Sequence, residues 1–264
     1  MDKIKMHYIK EAKEFGGSKQ ATMRDINIRE KEVEKITSCL NVLKTHFKEP
    51  KILEIGCGNG YTAEQIVKQL DVNLMCIDLC EDFIEIAQKR TLENVTFRIG
   101  DVLNLEFNDA SFDIVYTERC LINLDSFKKQ QEAINEIRRV LKVGGCFLMT
   151  EAFTDGLNEL NEARKTIGLE PIPQPYHDLY FDKKELLQFI QDKFVDFSTA
   201  HPSPAFEDHE NFLSSYYFGS RVLYPALIAG KKELVYNNKF IEFFKYVPAY
   251  GNYSPVQMFI FEKI

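Results

Sequence analysis

KILEIGCGNGYTAEQIVKQL, residues 51–70, decides the reading of this chain, because its pattern changes twice within a short distance. KILEI (51–55) is a short, mostly apolar run of the kind that forms a buried strand. GCGNG (56–60) is a turn cluster, and YTAEQIVKQL (61–70) resumes helical periodicity. Strand, tight loop and helix make one βα unit. Glycines let the backbone turn sharply and let a ligand approach the peptide groups, while the first N–H groups of the helix are free to donate to it. That is the layout of a nucleotide-type site. The spacing here is G-x-G-x-G with Glu54 two positions ahead, whereas the dinucleotide fingerprint is G-x-G-x-x-G, so the pattern favours a ligand other than a nicotinamide dinucleotide. Asp78 ends the next apolar run, where a carboxylate can accept hydrogen bonds from two ribose hydroxyls.

Working outward, the alternation continues. Strands are expected at 72–78, 95–100, 112–118 and 145–153, with helices at 81–90 and 127–142. Ahead of them, Ile28, Val33, Ile36, Cys39, Leu40, Leu43 and Phe47 recur at helical spacing over 28–47. Beyond residue 153 comes a helical piece and a proline-punctuated stretch (154–181), then a helix at 183–194, a strand at 195–201 and a last strand at 254–264. Residues 202–253 carry Phe212, Tyr216, Tyr217, Tyr224, Phe243, Phe244 and Tyr246, and read as a helical insertion. Strands regularly separated by helices predict an α/β fold with a doubly wound, mostly parallel seven-stranded sheet in one domain carrying two insertions.

Composition narrows the function. Hydrophobic residues at 45% and charged residues at 28% fit an ordinary globular chain that folds along its length. A formal charge of −7 with a pI near 5.4 and no dense basic stripe argues against nucleic acid as a partner. The charged N-terminus lacks the apolar centre of a signal peptide, and no run of about 18 apolar residues occurs, so no membrane association and a cytoplasmic location are expected. Cys39, Cys57, Cys76, Cys80, Cys120 and Cys146 form no C-x-x-C pair or Cys/His cluster, so reduced, packed thiols and no metal site are expected.

E-I-G-C-G-N-G, then Asp78, then Gly100-Asp101-Val102, together with FDIVYTERCLINL and INEIRRVLKVGG, resembles the class I S-adenosylmethionine-dependent methyltransferase family over about residues 50–153. The resemblance implies the Rossmann-like methyltransferase fold and S-adenosylmethionine as cofactor. It puts Gly56, Gly58 and Gly60 against the methionine part and ribose with Glu54 alongside, and Asp78 on the ribose hydroxyls. Asp101 would take the adenine amino group and Val102 the ring, with Glu118 or Arg119 on the rim near the methyl group. Residues 18–25 with Arg29 resemble the N-terminal lid of some small-molecule methyltransferases, which makes 1–49 a helical lid and gives Arg24 or Arg29 to the methionine carboxylate. A solvated helix face, with Arg29 paired to a neighbouring acid, is the competing reading.

The acceptor site is expected in the loops at the carboxyl ends of the strands. Pro173-Gln174-Pro175-Tyr176-His177-Asp178-Leu179-Tyr180 offers an imidazole as general base, with Tyr176 and Tyr180 beside it. Glu118 is the other candidate base, and Arg119 and Arg164 are candidates to hold an anion. His201, Tyr216, Tyr217 and Arg221 are weaker candidates whose aromatic company also fits core packing or a homodimer contact. The lid-plus-core pattern is similar to methyltransferases of bacterial surface-polysaccharide pathways, implying O-methylation of a carbohydrate or of its phosphorylated or phosphoramidate decoration. An N-methyltransferase of a small amine, a non-catalytic cofactor-binding protein and a nicotinamide-dependent oxidoreductase are the alternatives.

Overall fold

The computed structural model describes residues 3–228 and 238–264. Two helices precede the sheet, α1 (Lys3–Phe15) and α2 (Ile26–Leu43), and Asp25 caps α2 by accepting from the N–H groups of Asn27 and Ile28. Strand β1 (Lys51–Ile55) then leads through the glycine loop into α3 (Tyr61–Val67). The rhythm continues through β2 (Asn73–Asp78), α4 (Glu81–Gln88), β3 (Val95–Ile99), β4 (Phe112–Glu118), α5 (Phe127–Val140) and β5 (Leu141–Ala152). After β5 come α6 (Thr154–Thr166), α7 (Lys183–Ile190), β6 (Phe194–Asp196), the single-turn α8 (Phe197–Ala200), α9 (Ser214–Phe218), α10 (Tyr224–Leu227), α11 (Lys239–Phe243) and β7 (Val256–Lys263).

The sheet has seven strands in the order β3-β2-β1-β4-β5-β7-β6. The pairs from β3 through β5 are parallel, and β7 runs antiparallel to both β5 and β6. The expected doubly wound α/β sheet is therefore present. Its strands bury both faces by simple alternation. Ile52, Ile114, Tyr116, Leu148 and Ile260 face one core with Ile36 and Leu40 of α2, while Leu53, Val115, Phe147, Met149 and Phe259 face the other with Ile134 and Ile137 of α5. Each fully buried aliphatic or aromatic side chain of this kind stabilises by about 1.5–3 kcal/mol.

One sequence expectation needs correction. The strand expected over 195–201 stops at Asp196, because its carboxylate accepts from the Thr199 N–H and starts a helical turn instead. The insertion at 202–253 holds short helices and a π-helical turn (Gly219–Leu223), and residues 229–237 lie outside the described residues. Within it Tyr216 and Tyr217 are buried, but Phe243 and Tyr246 stand in solvent. All six cysteines are free, five of them buried. Among the described residues no helix is long and apolar enough to cross a membrane.

Candidate cofactor and acceptor site

β1 has β2 on one side and β4 on the other, so the chain leaves the sheet centre in opposite directions and opens a crevice at the carboxyl ends of these strands. A cavity of about 650 Å³ occupies it. Gly56 and Gly58 have φ of 80° and 51°, a region that favours glycine. A Cβ on Gly56 would lie 2.7 Å from Cys120, whereas one on Gly58 meets nothing within 4 Å and would project into the cavity.

Asp78 closes this loop. One carboxylate oxygen accepts from the Gly58 N–H and the other from the Cys80 N–H, each at 2.8 Å. Burial pushes its carboxyl up while the two N–H bonds pull it down, and each oxygen keeps a lone pair for a ligand hydroxyl. Asp101 accepts from the Leu103 N–H at 2.9 Å and lines the cavity with Val102.

At the end of β4, Glu118 accepts from the Thr62 hydroxyl at 2.6 Å. Arg119 has a left-handed φ of 50°, and its Nε lies 3.1 Å from the buried Glu32 carboxylate of α2. The turn that follows is held from below by Glu151 of β5, whose carboxylate accepts from the N–H groups of Cys120, Leu121 and Ile122. From α2, Arg29 reaches the cavity with Nη1 on the Ala21 carbonyl and the Thr22 hydroxyl, its guanidinium 5.3 Å from the Tyr61 ring. Arg24 does not reach it, being engaged by Glu11 at 2.8 Å and stacked on Phe15.

The cavity is also lined by Pro175, His177, Asp178, Tyr180 and Tyr217. His177 Nε2 lies 3.4 Å from the Asp178 carboxylate. Burial lowers the imidazole below its ordinary value and pushes Asp178 up to about 6. At neutral pH His177 is thus a neutral base beside an acid able to stabilise its protonated form.

Several expected site residues are turned elsewhere. Arg164 is buried with its guanidinium on the Glu170 and Arg221 carbonyls, a structural role away from the cavity. Tyr176 is 82% exposed and sets its ring edge against His177 from outside. Gly60 faces the Phe97 ring, where a Cβ would come within 2.7 Å. His201 packs with His46 and Phe197, and Tyr216 and Arg221 bond Asp25, so Tyr217 alone of that group lines the cavity.

Glu54 lies beneath the loop beside Cys76 and Tyr116, and burial pushes its carboxyl up to about 7 from an ordinary 4.5. The native state therefore holds this proton more tightly than the unfolded chain, so the contribution to stability is full below the unfolded value and is lost as pH rises through the native one. Between about pH 5 and about pH 8.5, Glu54→Gln is expected to gain about 1–3 kcal/mol on the wild type. Urea unfolding at both pH values checks this; an unchanged difference would mean that Glu54 ionises freely.

Reading by residue missed Ile4, Tyr8, Thr22, Phe83 and Asn123, all of which line the cavity. The signal for α1 was present, since Ile4, Tyr8, Ala12 and Phe15 recur at helical spacing.

The sheet order, with its site at the carboxyl ends of β1, β2 and β4, defines the Rossmann-like fold of S-adenosylmethionine-dependent methyltransferases. Residues 52–145 match the family described as methyltransferase domain. O-methyltransferase rstn1 of Aspergillus nomiae is 31% identical over 127 residues, 46% of this chain and 55% of that protein. Norajmaline N-methyltransferase of Rauvolfia serpentina is 33% identical over 110 residues, 39% of this chain and 37% of that one. The chain spans about half the length, or less, of these curated relatives. A putative sarcosine dimethylglycine methyltransferase from Galdieria sulphuraria shares the fold over 99% of this chain and 98% of its own, with a TM-score of 0.56 at 16% identity.

Proposed function

We propose that this chain transfers a methyl group from S-adenosylmethionine to a hydroxyl of a small acceptor, with His177 receiving the proton. One observation carries the reading. A single cavity is lined by the glycine loop, Asp78 and Asp101 and also by the His177–Asp178 pair. Its residues fit the cofactor, since Gly58 offers a surface without a side chain and Asp78 keeps acceptor capacity. Arg29 would hold the methionine carboxylate, Asp78 the ribose hydroxyls, and Asp101 with Val102 the adenine.

When bound, the sulfonium supplies an electrophilic methyl group for an in-line displacement. What the chain supplies is alignment, exclusion of water and a place for the acceptor proton. His177 takes that proton, Asp178 stabilises the imidazolium, and Tyr180 and Tyr217 shape the wall. Arg119, on the rim, would pair with an anionic group of the acceptor. A carbohydrate hydroxyl or a phosphorylated sugar of a surface-polysaccharide pathway is the acceptor class this reading favours, on the resemblance of the lid-plus-core pattern to such enzymes. Methylation of a small amine is the second reading, favoured by the carboxylates of Glu118 and Asp178 in the same cavity and by the likeness to norajmaline N-methyltransferase.

Calorimetry with S-adenosylmethionine and S-adenosylhomocysteine tests the cofactor half. Wild type is expected to bind both, and Asp78→Ala to bind about 1–3 kcal/mol more weakly. A folded wild type that binds neither ligand would remove the assignment. Turnover of a panel of sugars, sugar phosphates and small amines by wild type and His177→Asn then separates the two acceptor readings, because only the hydroxyl acceptors depend on the base.

A further inference from the structure

His7, near the start of α1, stacks on His177 with ring centroids 4.4 Å apart and planes at 26°. The two residues are far apart in sequence and belong to different elements, the N-terminal helix and the loop before α7. Tyr176 sets its edge against both rings. His177 is thus held between His7 on one face and the Asp178 carboxylate beyond Nε2, and its Nδ1 is buried with no hydrogen-bond partner among the described residues.

The helix that carries His7 is seated over the cavity by several contacts. The Tyr8 hydroxyl donates to Asn123 Oδ1 at 2.5 Å, and Ala12 packs with Ala21, Cys80 and Phe83. Glu11 accepts from the Thr22 N–H and from Arg24, which ties the connection between α1 and α2 back onto α1. Ile4, Lys5 and Tyr8 line the cavity from this side.

We infer that His7 is a positioning residue for His177, so that the base is assembled only when α1 is seated on the cavity. This rests on the reading of His177 as proton acceptor given above. The stack fixes the plane of the His177 ring and keeps water from one of its faces. Two imidazolium rings at this separation repel, so the pair carries at most one positive charge near neutral pH. The charged groups facing the pair are Glu11 of α1, Arg24 after it and Asp178 of the loop, and Asp178 in turn faces Arg119 at the end of β4 and Tyr180. Glu11 favours charge on both rings, Asp178 favours it and Arg24 opposes it on His7, but burial dominates and lowers both imidazoles. A base that forms only under the closed helix confines proton transfer to a site from which water is excluded.

The experiment is a pH titration of the full chain labelled with ¹³C-histidine and followed by NMR, the His177 signal being assigned with His177→Asn. His7→Ala should move the His177 midpoint up by a few tenths of a pH unit toward the ordinary imidazole value, because its face is opened to water. His7→Phe, which keeps an aromatic ring on that face without a second titrating group, should restore the lowered midpoint. Circular dichroism establishes that both variants fold, as expected for a partly exposed helix position. A midpoint unmoved in His7→Ala, or moved equally in both variants, overturns the inference. Neither arm depends on turnover, so loss of the proton-acceptor reading in the acceptor panel would be seen separately from loss of the stack's effect here.

Discussion

Asp25→Ala is expected to lower the stability of the fold by about 3–5 kcal/mol, the cost of removing one member of a buried ion pair. Asp25 is nearly fully buried and does three things at once. It caps α2, accepts from the Tyr216 hydroxyl at 2.7 Å and pairs with Arg221 Nη2 at 2.8 Å. Alanine would leave the Arg221 cation in the interior without this carboxylate, the Tyr216 hydroxyl without its acceptor and the first turn of α2 uncapped. Asp25→Asn keeps the cap and an acceptor for Tyr216 but removes the charge, so it should fall between wild type and Asp25→Ala. Urea unfolding monitored by circular dichroism gives the order. A loss below about 1 kcal/mol for Asp25→Ala, the size of a cap alone, would show that the second insertion is not held to the N-terminal segment by this pair. The functional link is short, because α2 also carries Arg29 to the cavity and the insertion carries Tyr217.

Gly156→Ala is expected to cost about 3 kcal/mol or more, at the upper end of what overpacking a core does. Gly156 lies in the first turn of α6, and an added Cβ would sit 1.8 Å from the Ser254 carbonyl oxygen. The obstacle is backbone, so no rotamer change relieves it. Relief needs α6 to move away from the segment entering β7, where Asp155 accepts from Asn252 and Gln257 and the Phe153 N–H donates to the Pro255 carbonyl. That displacement would carry Ala152 and Val256, which line the cavity. Gly168→Ala is the control, since its Cβ meets nothing within 4 Å and only its φ of 75° resists substitution; about 1–2 kcal/mol is expected there. Thermal melts of the two variants decide the matter, and equal losses would contradict the steric account.

Much of the architecture was legible because it rests on short-range pattern. The run KILEI, the glycines after it and the helical periodicity that follows specify strand, turn and helix within one stretch of chain, and the structure has them at 51–55 and Tyr61–Val67. The same holds for the alternation through β5, and for the final strand. The strand expected at 195–201 failed for an equally local reason that was overlooked, a capping aspartate inside an apolar run. Asp78 was readable because the end of a parallel strand in such a sheet leads to the crevice, and Asp101 and Val102, taken from the family resemblance, line the same cavity.

The rest of the cavity was decided by contacts that no local pattern contains. Sequence left Arg24 and Arg29 as equals. Arg24 meets Glu11 of α1, while Arg29 of α2 reaches the cavity. Tyr176 and Tyr180 flank the same histidine, yet one side chain points into solvent and the other lines the wall. Arg164 looked free to bind an anion until the chain folded the Arg221 carbonyl onto it. His7 and His177, Asp25 and Arg221, Tyr8 and Asn123 meet only because packing of the two hydrophobic faces brings distant segments together. The sequence by itself determined the order of elements and the glycine loop with Asp78 at the mouth of the crevice, since those follow from steric and hydrogen-bonding preferences over a few residues. Which polar side chains converge around His177 was decided by the tertiary structure, because burial of the apolar faces fixes those directions only after the whole chain has closed.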